Sequence, residues 1–252
     1  MIPTINKTAT EPSSSIAIIG AGFAGLTLAR LLLLDNANYC DCVVFEARSK
    51  SDDLSSYYNG EVALPCLREA SFQHRLKLTL PQNHGTDNAV SRADILKALQ
   101  QDIESNIHYQ CHITEIIRVQ EQQDDKHHRQ QQQKQQNQIF WLKDVHQRQH
   151  GPFSMIIVAD GVRSPFRHLP YVYCIGDSRW ARDVFYDFGT TRIRKGADTA
   201  MRDALELERM LNSETVDEKL LRKRFQPPTG LKSKLLLLLS LVVLFMALFL
   251  QH

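Results

Sequence analysis

The run Gly20-Ala21-Gly22-Phe23-Ala24-Gly25 places three glycines between two apolar stretches, Ile16 to Ile19 and the segment opening at Phe23. Glu46 closes the next apolar run, CDCVVFE. This arrangement can do one kind of chemistry well. Gly20 permits a tight turn, Gly22 lets backbone approach a pyrophosphate, and Gly25 lets helix and strand pack closely. The free N–H groups at a helix start hold the anion, and an acid at the next strand end accepts ribose hydroxyls. A glycine triplet alone is a weak sign; between strand and helix, with an acid ending the next strand, it specifies a dinucleotide site.

A second pair of features lies far along the chain. Asp160-Gly161 ends the apolar run MIIVAD, and Gly176-Asp177 ends YVYCIGD. Acids at the carboxyl ends of parallel strands face the crevice where open α/β sheets bind ligands. Only Val162 to Ile175 separate the two turns.

These residues need particular elements to position them. A strand over Ile16–Ile19, a helix over about Phe23–Leu34 and a strand ending at Glu46 make a strand–helix–strand unit. Its short crossover implies parallel pairing, and hence an α/β, Rossmann-like doubly wound parallel sheet. Lys50 to Tyr58 is polar and loop-like, and GEVALP is a candidate short strand. SRADILKALQQDI is a helix capped by Ser91, with Ile95, Leu96 and Leu99 on its apolar face. Ile107 to Cys111 suits a third parallel strand. ITEIIRV and IFWLKDV form a β-hairpin insertion around the polar tract Gln120 to Gln138, whose composition predicts a disordered loop. SMIIVAD and YVYCIGD are further strands. GADTAMRDALELERMLNS has helical spacing, and EKLLRKRF is a short amphipathic piece. The expected organisation is a disordered lead-in over 1–15, a dinucleotide-binding domain over 16–212, a basic linker over 213–234 and an apolar tail over 235–250.

The bulk numbers restrict the partners. The 252 residues carry a net charge of +2, which gives no global pull toward nucleic acid. The five cysteines have no tidy spacing, and the N-terminal stretch lacks a secretory signal, so reduced thiols in the cytosol are expected. Cys40 and Cys42 have no second pair nearby, so no four-ligand zinc site is expected. His127 and His128 read as part of a solvated loop. LLLLLSLVVLFMALFL, residues 235–250, has no charge; as a helix it is about 24 Å long. With RKR, Lys232 and Lys234 upstream, it reads as a transmembrane tail anchor that leaves the folded domain cytosolic.

Taken in order, GAGFAG with VVFEAR, then SRADILKALQ, IIVADGVRSPFR, and CIGD followed by KGADTAMRDALELERML resemble the group A flavin-dependent monooxygenases, the aromatic hydroxylase family. The resemblance covers most of Ser15 to Leu211. It implies that Gly20, Gly22, Gly25 and Glu46 hold the adenosine half of FAD, with Arg48 and Arg92 near its ribose and phosphates. It implies that Asp160, with Gly161, Ser164 and Arg167, serves both FAD and NAD(P)H. It sets Gly176 and Asp177 on the ribityl chain, and Gly196 and Ala197 beside the flavin ring. The implied activity is that of an NAD(P)H-dependent, FAD-binding monooxygenase of unknown substrate, and no catalytic side chain is assigned.

The chain departs from the family pattern in two places. Ser178-Arg179-Trp180 stands where the family has Ala-Ala-His, with no proline after it. Arg179, Arg182, Arg192, Arg194 and Lys195 follow, as either an anion-binding cluster or a solvated loop. Between the two aspartate turns the family builds most of a substrate domain. Here Val162 to Ile175 allow a loop and one strand, so residues Glu61 to Asn88 are the candidate remnant of substrate-side structure. A membrane-anchored oxidoreductase and a non-catalytic FAD-binding protein are both compatible with this pattern. An NAD-dependent dehydrogenase would lack an acid–base pair and leave both aspartate turns unexplained.

Overall fold

The computed structural model describes residues 15–34, 41–53, 61–78, 89–119, 138–180, 196–213 and 217–226. Five parallel strands form the main sheet: β1 (Ile16–Ile19), β2 (Cys42–Phe45), β5 (Ile107–His108), β9 (Met155–Val158) and β10 (Tyr173–Cys174). Their spatial order is β10-β9-β1-β2-β5. β1 sits at the centre, with Ile16–Ile19 in register with Cys42–Phe45 on one side and Met155–Val158 on the other. A central parallel strand is covered on both faces, which is why IAII is apolar at every position.

Successive side chains point to opposite faces, and the two faces are covered differently. Ile16, Ile18, Val44 and Ile157 join the core formed with α1 (Phe23–Leu34), α3 (Ala70–Leu76), α4 (Arg92–Gln100) and α6 (Gly196–Leu211). Ala17, Ile19, Phe45, Ile156 and Val158 pack into a second core with Ile113, Ile116, Phe140, Leu142 and Phe153. That second core belongs to an antiparallel meander of β6 (Ile113–Val119), β7 (Ile139–Asp144) and β8 (Gln149–Phe153). The strand order is that of a doubly wound sheet, but the second face is covered by strands in place of helices. This corrects the doubly wound expectation. The expected hairpin is a three-stranded layer, and its alternating apolar residues give it a face large enough to cover the sheet.

Smaller elements complete the frame. Lys50–Asp53 form one helical turn, α2, and β3 (Glu61–Ala63) pairs antiparallel with β4 (Ala89–Ser91). Ser91 caps α4 by accepting from the Asp94 N–H. β5 is only two residues long, shorter than Ile107 to Cys111 suggested. α5 (Asp177–Trp180) is a single turn, and α7 (Glu218–Phe225) packs Leu221 and Phe225 into the helical core. Part of the expected linker is therefore built into the domain, because those two apolar residues fall on one face of a short helix. Cys42, Cys66, Cys111 and Cys174 are buried free thiols. The lead-in, the polar tract over 120–137 and the apolar tail over 235–250 lie outside the described residues. Among the described residues no helix is long and apolar enough to cross a membrane.

A residue that the sequence pattern concealed holds the helical layer together. Arg30, within the apolar helix α1, is 1% exposed. Its guanidinium donates to the carbonyls of Leu76, Lys77 and Gln101 and to the Asp102 carboxylate. One side chain thus closes the C-terminal ends of both α3 and α4, where the last carbonyls lack helical partners.

Candidate functional site

A cleft of about 820 Å³ opens at the carboxyl edge of the parallel sheet, within the range of small-molecule and cofactor sites. Gly20, Gly22, Glu46, Arg48, Arg92, Asp160, Asp177, Gly196 and Ala197 all line it. The sequence candidates are therefore brought together from six separate parts of the chain. Gly25 and Gly176 do not line the cleft; they shape its walls.

The glycines divide by what surrounds them. Gly20 has φ +106°, and a Cβ there would lie 2.6 Å from the Ala159 carbonyl oxygen. A Cβ on Gly25 would collide with the Gly20 carbonyl oxygen. Gly176 has φ +61°, and a Cβ would meet Ala24 at 2.9 Å and Ala200 at 3.2 Å. Those three are required by the fold itself. Gly22 is different: a Cβ there meets nothing within 4 Å. Its bareness serves no contact among the described residues. It leaves space beside the first turn of α1, whose N–H groups have no partners within the helix. The cradle therefore fits the anionic pyrophosphate of a dinucleotide.

Glu46 sits at this turn, 4% exposed. Its Oε2 accepts from the Ala21 N–H at 2.8 Å and from Arg48 Nη2 at 3.2 Å. Its Oε1 accepts from Arg48 N–H and Nε, both at 2.9 Å. Burial works to raise the Glu46 pKa, but the Arg48 hydrogen bonds and charge, with the Ala21 N–H, outweigh it and hold the carboxyl below its ordinary value. A carboxylate offers about four lone-pair sites, and all are occupied. Ribose hydroxyls would have to replace the two side-chain donors of Arg48, which is one-third exposed.

The two aspartate turns are built differently. Gly161 has φ +94°, and Ser164 N–H donates to its carbonyl at 3.1 Å. Ser164 Oγ then accepts from Phe166 N–H at 3.2 Å, and Arg167 Nη1 donates to the Val162 carbonyl at 2.8 Å. The turn leaves Asp160 facing the cleft. Asp160 is exposed to solvent in the cleft, but partial desolvation by the surrounding walls pushes its carboxyl up to about 6, against the Ser164 hydroxyl and the Arg167 charge, and the nearby Glu46 charge adds to the rise. The second turn is fixed from α6: Asp203 Oδ2 accepts from Gly176 N–H at 3.2 Å. Ser178 Oγ donates toward the Val158 and Ile175 carbonyls, tying the two strand ends together. Asp177 stays exposed in the cleft, its Oδ1 3.9 Å from where a Gly196 Cβ would lie.

Arg92 opens α4 with its guanidinium 4.9 Å from the centroid of the Phe23 ring, at the start of α1. This places a cation close to the same helix start. Arg179 has a structural role: it pairs with Asp203 at 2.8 Å and lies 5.0 Å from the Phe225 ring centroid, its side chain 8% exposed. Arg182, Arg192, Arg194 and Lys195 lie outside the described residues. Residues the sequence reading missed are Cys111, His112 and Ile113, which line the cleft beside Glu46. The sequence put Cys111 at the end of a parallel strand and Ile113 at the start of a hairpin strand, and only the meander brings the chain back across the sheet edge.

No protein-family model and no curated protein matches the chain. Solved structures do. HpxO from Klebsiella pneumoniae, determined with FAD and uric acid, superimposes with a TM-score of 0.53 at 12% identity, over 87% of this chain and 85% of that one. A putative FAD-containing monooxygenase from Photorhabdus luminescens subsp. laumondii TTO1 gives a TM-score of 0.43 at 16% identity, over 62% of this chain. The chain spans 41% of the length of that protein. 2,6-Dihydroxypyridine-3-hydroxylase from Arthrobacter nicotinovorans gives 0.42 at 17% identity, over 62% of this chain and 39% of that one. The fold is Rossmann-like α/β, shared with HpxO.

Proposed function

We propose that the chain binds FAD in this cleft and is an FAD-dependent oxidoreductase of the monooxygenase type, reduced by NAD(P)H. The observation that carries the reading is the convergence of Gly22, Glu46, Arg92, Asp160, Asp177 and Gly196 on one cleft. Gly22 and the α1 N-terminus would receive the pyrophosphate, with Arg92 balancing its charge. Glu46 would accept ribose hydroxyls as Arg48 withdraws. Asp177 would accept ribityl hydroxyls, and Gly196 and Ala197 would lie along the ring. Bound flavin would supply the hydride-accepting and oxygen-activating chemistry of such a reaction. The protein's part is to hold the cofactor and exclude water. Purified full-length protein should be yellow and carry one FAD per chain. Protein that stays colourless after incubation with FAD overturns the reading.

A second reading has its own observation. Val162 to Ile175 form turns and the two-residue strand β10, too little chain to cover a flavin. An FAD-binding protein without a substrate pocket would hydroxylate nothing, and any NAD(P)H it oxidised would pass its electrons to dioxygen as peroxide. Substrate-stimulated NAD(P)H consumption with a hydroxylated product would decide for the enzyme. The apolar run over 235–250 completes the proposal as a membrane anchor with the domain in the cytosol. The full chain should sediment with membranes after alkaline carbonate washing, and a chain ending at residue 234 should not.

A further inference from the structure

Cys111 follows β5, Asp144 ends β7 and His150 lies in β8. Three chain segments thus bring three kinds of ligand atom to the seam between the parallel sheet and the meander. Cys111 Sγ lies 3.5 Å from His150 Nε2 and 3.9 Å from Asp144 Oδ2, and Nε2 lies 3.2 Å from Oδ2. Cys111 and Asp144 are buried, and His150 is partly so. In tetrahedral zinc coordination, bonds of about 2.3 Å to sulfur and about 2.0 Å to nitrogen and oxygen set these separations near ~3.5, ~3.5 and ~3.3 Å. The observed triangle has the size of one face of such a tetrahedron.

Other readings explain less. A nucleophilic triad needs the imidazole to use one nitrogen toward the thiol and the other toward the carboxylate. Here both groups address Nε2. In a plain hydrogen-bonded cluster the Cys111 thiol and the Nε2–H would both donate to Oδ2, which leaves the 3.5 Å approach of Sγ to Nε2 with no hydrogen between the two atoms, whereas a cation is bound by all three. The surroundings also hold the ligands in place. Asp144 Oδ1 accepts from the N–H groups of His146 at 2.8 Å and Arg148 at 3.0 Å, which fixes the carboxylate with Oδ2 toward the cluster. The Phe45 ring packs 5.1 Å from the His150 ring. Arg148 Nε also reaches Oδ2 at 2.7 Å, but its side chain is 59% exposed and has room to withdraw.

We propose that Cys111, Asp144 and His150 bind one divalent transition metal of the zinc class, with a solvent or other oxygen ligand at a fourth position on the cleft side. The metal would clamp the meander to the sheet edge that carries Glu46, since Cys111 N–H donates to the Glu46 carbonyl at 2.8 Å. The test uses the full chain, stripped with chelator and titrated separately with ZnCl2 and CoCl2. One zinc should bind per chain, and cobalt should give a thiolate charge-transfer band. Cys111→Ser should abolish that band, and His150→Ala should weaken metal binding at least tenfold, with folding checked by circular dichroism. A control changing both His127 and His128 to Ala should keep the band. Absence of the band in the folded parent chain, or its survival in Cys111→Ser, overturns the proposal. If Cys111→Ser does not fold, unchanged affinity in His150→Ala overturns it equally.

Discussion

Glu46 and Asp160 are both acids at the carboxyl ends of neighbouring regions of one parallel sheet, yet their settings are opposite. Glu46 is enclosed and fully hydrogen-bonded by Ala21 and Arg48, and its carboxyl is held below the ordinary value. Asp160 is exposed in the cleft, where partial desolvation by the walls pushes its carboxyl up to about 6. One acid already stabilises the turn that would bind the cofactor. The other is less well compensated, which favours a group that takes a ligand. The glycines repeat this contrast: Gly25 is locked by backbone, while Gly22 borders open space.

The largest effect that would sharpen the contrast is Gly25→Ala. The added methyl collides with the Gly20 carbonyl, so strand and helix must part, and a loss of about 4 kcal/mol or more is expected in denaturant unfolding. Glu46→Ala should come next. Removing the acceptor strands a buried N–H and frees Arg48, for a loss of about 1–3 kcal/mol in the absence of FAD. A variant as stable as the parent would break the contrast, because Glu46 would then have no structural role.

Gly22→Ala tests the opposite side. The methyl has room, so stability should change by less than about 0.5 kcal/mol. FAD affinity should fall at least about tenfold, or about 1.4 kcal/mol, as read by fluorescence titration. Unchanged affinity would remove the pyrophosphate from this turn. The smallest effect belongs to Asp160→Asn. A folded-state carboxyl that titrates near 6 holds its proton over a range where the unfolded chain, titrating near ~3.9, has lost it. Its contribution to stability therefore falls as pH rises from about 4 to about 6. The variant should match the parent at pH 4 and exceed it at pH 7, by no more than about 1 kcal/mol after solvent screening. Parallel curves across that range would show that Asp160 is as well solvated as an ordinary surface acid.

Much of this was legible beforehand, for identifiable reasons. Strand β1, helix α1 and the Ser91 cap follow local rules: an apolar run, a glycine turn, and a hydroxyl before an amphipathic segment. The layer over the second face was not legible. β8 reads QHGPF, with a glycine, a proline and few apolar residues, and its pairing with β7 depends on where the chain returns. Arg30 was hidden for a similar reason. In an apolar helix its charge looks misplaced until three carbonyls from two other helix ends surround it.

The sequence by itself determined the glycine turn, the parallel sheet around it and the identity of the residues at the strand ends, because these depend on short-range spacing and backbone sterics. Tertiary structure alone decided how those residues divide their work. Burial, hydrogen-bond saturation and the space beside a Cα are properties of neighbours distant in sequence. They separate Gly22 from Gly25 and Glu46 from Asp160, and they bring Cys111, Asp144 and His150 into one cluster.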